Sequence, residues 1–517
     1  MRLKIDSCFH PSAIKTFVRG RRFETVTLHQ LLQGIRLSDI EWLQPSKRTK
    51  TTREDDLHRR SLLAEVVYFL FDSILTPLLR TTFYVTETQR YRNRVLYFRQ
   101  DDWLILSKPL LERLKSKLFV PIPRKEALAI MSTRQLGYSH IRLLPKERGV
   151  RAIVNLRRRS NKQSVQDAKS TSAKAVAKKQ PKKSEAALGT SINQILQAAF
   201  HILTYEKSAQ ASEYASSVLG PNEIFRQLKD FQEKVLGDAH KNGSGSTPLY
   251  FIKMDVRTAF DTIEQDKLIE IVQKILSHVG MHSGTCGSWL LSYSIHHIPQ
   301  GGYFVQRHTQ AAVQGDDVKL KFKKRATPDT DVEPFPDLAQ ELAESLRHVV
   351  FTDGVITSHE QRTRVVKLLA QHVYGNLVKI GKEFYRQQIG IPQGSSLSTL
   401  LCSFFYADLE RANLAFVRQP GNLLLRYTDD FLLITTDRAR AERFFRIMAK
   451  GHPEYGCFIS EEKTLCNFEL TASDGSFVPR LRSDQFPWCG YTLNTQTLAV
   501  RSDMERYKDV GECHFVL

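Results

Sequence analysis

The chain has 517 residues, 41% of them hydrophobic, which is enough for about two to four domains with buried cores. Its 75 lysines and arginines outweigh 55 acids, a net charge of +20, so a polyanion is the first partner to expect and nucleic acid the foremost among them. The seven cysteines form no CxxC or CxxH pair and the charged N-terminus has no apolar core, which argues against zinc ligation, a secreted disulfide framework and a signal peptide and points to a reducing, intracellular compartment.

Residues 1 to about 110 read as mainly helical: "TLHQLLQGIRLSDIEWL" has helical apolar spacing, and "SLLAEVVYFLFDSILTPLLR" is apolar on most faces, with Pro77 expected to kink or end it. Residues 83–103, "FYVTETQRYRNRVLYFRQDDW", change to aromatic and β-branched residues with arginines between them. That pattern predicts a hairpin presenting Phe83, Tyr84, Arg92, Arg94 and Tyr97 to RNA, or an ordinary sheet with a solvated basic face. Two further strands, "HIRLLPKERG" and "VRAIVNLRRR", meet at Gly149 and carry Lys146 and Arg151 close to the turn, as triphosphate contacts or as a solvated basic turn. Residues 160–188 have almost no large apolar side chains and predict a disordered or weakly helical basic loop.

"LYFIKMDVRTAFDTIEQDKLIEIVQKIL", residues 249–276, predicts an apolar strand ending at Asp255 and then an amphipathic helix. A carboxylate at the end of a buried strand is costly unless paired or metal-bound, which makes Asp255 a candidate ligand, whereas Asp261 with Glu264 three residues on reads as an N-cap. "QQIGIPQGSSLSTLLCSFFYADLE", residues 387–410, is a glycine turn followed by a helix; its uncharged stretch is too polar and turn-rich to span a membrane. "LLLRYTDDFLLIT", residues 423–435, is a hairpin with Asp429 and Asp430 at its turn. Two carboxylates on a rigid turn suit magnesium if a third arrives from elsewhere, and Asp255 is the natural third.

An aliphatic strand ending in Asp, a "GIPQGSSLSTLL" turn and helix, and a Y-x-D-D hairpin, in that order, resemble the palm of reverse transcriptases. Within that class the 83–103 segment resembles the T motif of the telomerase reverse transcriptase family, and "LHQLLQGIRLSDIEWL" part of its RNA-binding domain. "EYGCFISEEKTLCNF" and "FPWCGYTLN" also follow the family's pattern, and the 174 residues between Asp255 and Asp429 fit its insertion in the fingers.

The resemblance implies an α+β right-hand polymerase. Residues 1–110 would be a mainly helical partial RNA-binding domain with the T motif at 83–103, and 111–505 fingers and palm with a helical insertion at about 265–385. Residues 506–517 would begin a thumb, so the chain looks truncated at both ends; 160–188 and 300–335 are unmatched. Asp255, Val256, Asp429 and Asp430 would hold two Mg2+ ions, with Asp429 coordinating more directly than Asp430 because successive strand residues alternate faces.

By the same resemblance Lys146, Arg151, Phe260, Gln393, Gly394 and Lys463 would line the nucleotide pocket. Phe260 would exclude a 2′-hydroxyl or be only a core aromatic, and Lys463 would protonate pyrophosphate or be only a surface lysine after two glutamates. Trp488, Cys489 and Gly490 would grip the primer end or serve as core packing. Implied partners are telomerase RNA, a single-stranded telomeric DNA primer, dNTPs and accessory proteins, with no membrane, in the nucleus at chromosome telomeres. A retroelement-type enzyme is the nearest alternative, although no endonuclease-like, zinc-knuckle or RNase H segment is apparent. An RNA-binding scaffold that does not polymerise is the other.

Overall fold

The computed structural model describes residues 27–32, 35–37, 40–44, 52–87, 95–145, 150–161, 188–241, 248–277, 287–297, 303–307, 310–314, 319–328, 334–346, 349–351, 355–472, 475 and 477–503. They fall in two compact units, Met1–Lys117 with Arg142–Ile153, and Leu118–Ile141 with Val154–Leu517.

In the first unit, helix α1 (Arg53–Phe69) opens with a capping box in which the Thr52 hydroxyl accepts from the Asp55 amide at 3.2 Å and the Asp55 carboxylate accepts from the Thr52 amide at 3.0 Å. Its winding widens to a π-turn over Leu70–Leu75 and resumes over Thr76–Thr82, so the disturbance expected at Pro77 falls one turn earlier and the helix continues through it. By length and composition alone Arg53–Thr82 is apolar enough to cross a membrane; Leu63, Val67 and Phe71 pack against Leu31, Ile40 and Leu43.

Strands β1 (Phe83–Glu87) and β2 (Val95–Arg99) form the expected hairpin, with Phe83 opposite Arg99. Tyr84 is not held out to a partner: its ring stacks on Trp103 of α2 (Gln100–Leu118) at 4.3 Å, and its hydroxyl donates to the Leu143 carbonyl at 2.8 Å. Tyr97 packs edge-on against Phe83 at 6.0 Å. Arg92 and Arg94 lie outside the described residues, as do residues 162–187 of the basic loop.

The second unit contains β3 (Phe119–Ile122) and the start of β4 (Tyr138–Pro145), which runs on into the first unit towards β5 (Val150–Val154). Two sheets matter most here. Within 265–385, where a helical insertion in the fingers is expected, the chain forms a sheet as well as helices: β7 (Gly287–His297) is flanked by β8 (Lys319–Pro328) on one side and by β9 (Val349–Phe351) and β10 (Ile356–Gln361) on the other. Helix α3 (Gln197–Ala209) packs on Leu290 and Ala326 of one face, and α6 (Phe335–Ser345) places Leu338 on Leu291, Tyr293 and Ile295 of the other.

The palm sheet has the order β13 (Asn422–Tyr427), β14 (Asp430–Thr435), β6 (Tyr250–Asp255), β15 (Leu465–Cys466). Both of its faces are covered. Phe431 and Leu433 point to a core shared with α5 (Gln265–Ser277), α8 (Ser398–Asn413) and α9 (Arg438–Ala449). Leu432 and Ile434 point to a second core built from α4 (Pro221–Lys241) and the β16 (Gln485–Trp488), β17 (Tyr491–Asn494) hairpin. A strand buried on both faces must be apolar at every position, which is why "FLLIT" shows no alternation.

Candidate active site

The register of β14 on β6 sets Asp430 directly opposite Asp255, and Asp429 precedes it in the turn. The turn is held open by Thr428 in the left-handed region at φ 62°. Arg426, fully buried in β13, ties this turn down: its guanidinium donates to the Thr428 carbonyl at 3.3 Å and to the Ser403 carbonyl of α8 at 3.1 Å, and pairs with the Glu410 carboxylate, which also accepts from the Ser216 hydroxyl. A buried arginine without such partners would be prohibitively costly, so these contacts define where β13 and its turn sit against α8. From the other side the Val256 amide donates to the Asp429 carbonyl at 3.2 Å and the Ser460 amide to the Asp255 carbonyl at 2.8 Å.

Gathering three acids has an electrostatic consequence. Burial pushes the Asp430 carboxyl up to about 7, and the charges of Asp429 and Asp255 and a hydrogen bond with Asp255 push in the same direction, against Lys463. Lys463 places its ammonium 2.6 Å from Asp255 Oδ2, although its side chain is 65% exposed. Among the described residues no three His, Cys, Asp or Glu side chains converge closely enough to hold a metal ion as they stand. The donor set nonetheless suits a hard divalent cation: carboxylates stand at the ends of buried strands, and burial, helped by the field of the other two, keeps Asp430 from ionising at its ordinary pH.

The two adjacent acids have different surroundings. Asp430 shares its face of β14 with Leu432 and Ile434, faces Asp255, and accepts a contact from the Cys489 thiol at 3.7 Å. Asp429 lies on the α8 side, close enough to Cys402 and Tyr406 to help push both of those groups up, burial being the larger cause.

The glycine turn packs where β6 ends. Gly390, at φ +74°, brings its α-carbon so close to the Phe260–Asp261 backbone that an added Cβ would stand 2.3 Å from the Phe260 carbonyl oxygen. The Ile391 amide donates to that same oxygen at 2.7 Å, so Phe260, half-buried, is fixed through its backbone. The Gln393 side chain donates to the Asp261 carboxylate at 2.9 Å, and its carbonyl accepts from the Val154 amide at 2.7 Å. Asp261 is therefore not an N-cap: it lies inside the short helix Ala259–Thr262, whose N-cap is Thr258, and its carboxylate takes Gln393 as partner. Gly394 is exposed at φ 111°, with its carbonyl accepting from Asn193 at 3.4 Å.

On the other side of the acids, Trp488 is buried in the second palm core, as the packing alternative expected, while Cys489 (φ 48°) and Gly490 (φ 83°) form the left-handed turn of the β16–β17 hairpin. Lys253 of β6 donates to the Pro487 carbonyl at 3.0 Å and so attaches this hairpin to the strand that carries Asp255. The second unit thus brings together Asp255, Val256, Asp429, Asp430, Lys463 and Cys489, with Phe260, Gln393 and Gly394 on the adjoining turn. Lys146 lies outside the described residues, and Arg151 is an exposed residue of β5 in the first unit. Arg426, Glu410 and Lys253 do not stand out from sequence. The available signal is a cation inside an apolar strand, "LLLRY" and "FIKMD", which demands a partner once the strand is buried.

Comparisons with known proteins agree with this geometry. The family described as "Telomerase ribonucleoprotein complex - RNA binding domain" matches residues 7–114, and "Reverse transcriptase (RNA-dependent DNA polymerase)" matches residues 339–493. The telomerase reverse transcriptase of Rattus norvegicus is 32% identical over 507 residues, covering 96% of this chain and 41% of that protein. That of Mus musculus is 31% identical over 510 residues, with 96% and 41% covered, so the chain spans about two fifths of these curated relatives. Among solved structures, telomerase from Candida albicans in complex with a fragment of telomeric RNA superposes with a TM-score of 0.66 at 18% identity, covering 95% of this chain and 64% of that one. This likeness shows the fold: fingers and palm of a right-hand polymerase preceded by an RNA-binding domain.

Proposed function

We propose that the chain is a member of the telomerase reverse transcriptase family and an RNA-directed DNA polymerase that extends single-stranded telomeric 3′ ends by copying a bound telomerase RNA. The observation that supports this most is the meeting of Asp255 and Asp430 across the β6–β14 register with Asp429 in the adjoining turn. Divalent ions, Mg2+ in this reading, would supply charge neutralisation at the triphosphate and activation of the primer 3′-hydroxyl when held by these carboxylates. The chain's own residues do the rest. Arg426 and Glu410 fix the turn that presents Asp429. Lys463, within hydrogen-bond reach of Asp255, would donate a proton to departing pyrophosphate.

Gln393, held by Asp261, and the exposed Gly394 backbone give the incoming nucleotide a polar edge. Phe260 walls the ribose side and so favours dNTPs. The β16–β17 turn at Cys489 and Gly490 contacts the primer end. The first unit holds the RNA through phosphate charge and shape, and nuclear residence at telomeres with accessory proteins follows from the same reading.

The test is primer extension by the purified chain assembled with telomerase RNA, offered a telomeric single-stranded primer and labelled dNTPs. Addition of a repeat complementary to that RNA is expected. Synthesis on arbitrary added RNA without need of the bound one would assign a retroelement-type enzyme instead, and absence of any extension would leave only RNA binding.

A further inference from the structure

Beside the three carboxylates stands another cation, Arg257, to which the reaction as described gives no part. Past Asp255 the chain stays extended and pairs antiparallel with residues 458–460. Val256 bridges Ile459, the Arg257 amide donates to the Phe458 carbonyl at 2.7 Å, and the Ser460 amide donates to the Asp255 carbonyl at 2.8 Å. Val256 is 1% exposed and sits in the palm core. Successive residues of extended chain alternate sides, so Asp255 and Arg257 both lie on the side turned away from that core.

The paired segment runs into a single 3-10 turn, Glu461–Lys463, whose two ends meet these two residues. Lys463 Nζ lies 2.6 Å from Asp255 Oδ2, and Glu461 Oε1 lies 3.6 Å from Arg257 Nη2. The guanidinium is thus placed on the same side of the acids as the ammonium that would meet departing pyrophosphate. Its hold on Glu461 is loose. At 3.6 Å the pair is too long for a hydrogen bond, and the side chains of Arg257 and Glu461 are 57% and 82% exposed. An exposed pair of this kind contributes little, so it yields to a better acceptor. A polyphosphate is one: its oxygens match the planar guanidinium fork, and it carries more charge than a single carboxylate. Three crowded acids repel such an anion, so a cation directed to the same side is needed to receive it.

We propose that Arg257 is a further nucleotide-binding residue, which exchanges Glu461 for the β- and γ-phosphates of the incoming dNTP, and that Glu461 restrains it until the nucleotide arrives. The inference rests on the polymerase reading and names a residue that holds the nucleotide's leaving end.

Two measurements on the chain assembled with telomerase RNA test it. Single-nucleotide extension at varied dNTP and primer concentrations gives kcat and each KM, and calorimetry with inorganic tripolyphosphate and Mg2+ gives a binding constant that needs no catalysis. Arg257→Ala keeps the amide that pairs with Phe458. It is expected to raise the KM for dNTP and weaken tripolyphosphate binding about 10-fold, with a smaller effect on kcat and the unfolding midpoint of wild type. Arg257→Lys keeps the charge but loses the fork, and is expected to recover part of the loss. Glu461→Gln is expected to lower the KM for dNTP about 2- to 3-fold, and to have no effect in the Arg257→Ala background, since it acts through the guanidinium. Unchanged dNTP KM and tripolyphosphate affinity in folded Arg257→Ala, a change in the primer KM instead, or an effect of Glu461→Gln that persists without Arg257 would each overturn the proposal. Absence of extension by the wild type, with tripolyphosphate still bound through Arg257, would count against the polymerase reading while upholding the phosphate site.

Discussion

The palm and fingers sheets of the second unit are both mixed with helices, yet they treat charge in opposite ways. The palm sheet is covered on both faces, and charges inside it are committed: Arg426 to Glu410, Lys253 to Pro487, Asp255 to Lys463. The fingers sheet is half open, and its lysines remain in solvent. A covered sheet can hold charges in fixed geometry, which suits chemistry, whereas an open one leaves them hydrated.

This contrast can be tested by the size of the response to substitution. Arg426→Met should destabilise the chain by about 3–5 kcal/mol in urea unfolding, because Glu410 is left buried and unpaired, and Arg426→Met/Glu410→Met should recover much of that loss. Gly390→Ala should cost about 2 kcal/mol or more, since it adds a left-handed penalty to a collision with the Phe260 carbonyl.

Acid should act through His372. Burial lowers its pKa from 6.5 to about 4, so the unfolded chain takes up the proton first, and stability present above about pH 6.5 is lost as pH falls towards 4. Between pH 7 and 5 the loss from this group should be about 2 kcal/mol, and His372→Leu should flatten that part of the pH profile. Phe322→Ala, on an exposed position of β8, should change stability by less than about 0.5 kcal/mol. A large stability loss there would show that Phe322 is core and would erase the contrast.

What is legible in the sequence follows from the same distinction. Asp255 and the Asp429–Asp430 pair stand out because an acid at the end of a fully apolar run must be paired or metal-bound to be tolerated there, and the glycine turn between them in chain order completes the pattern. The ranking of Asp429 over Asp430 rests on alternation alone, to which the structure adds a register. The observed pairing of Asp430 with Asp255 decides which acid faces the other strand. Asp261 reads as a cap because local spacing suggests one, while its actual partner, Gln393, is 132 residues away. The aromatic hairpin suggests that Tyr84 is presented to RNA, but the pattern alone does not reveal that Trp103 and the Leu143 carbonyl occupy its ring and hydroxyl. The open half of the fingers sheet is illegible for the same reason: "KLKFKK" shows charge, but only pairing with β7 shows which face α3 leaves open.

The most direct measurement of the central claim is primer extension by the chain assembled with telomerase RNA, comparing wild type with Asp255→Ala, Asp429→Ala and Asp430→Ala, each with Mg2+ and with EDTA. Extension by the wild type is expected only with Mg2+, with roughly 1000-fold or greater loss in every variant and unfolding midpoints close to wild type. Extension that persists in EDTA, or that survives loss of any one of the three carboxylates, would contradict the assignment of these acids as the catalytic metal site.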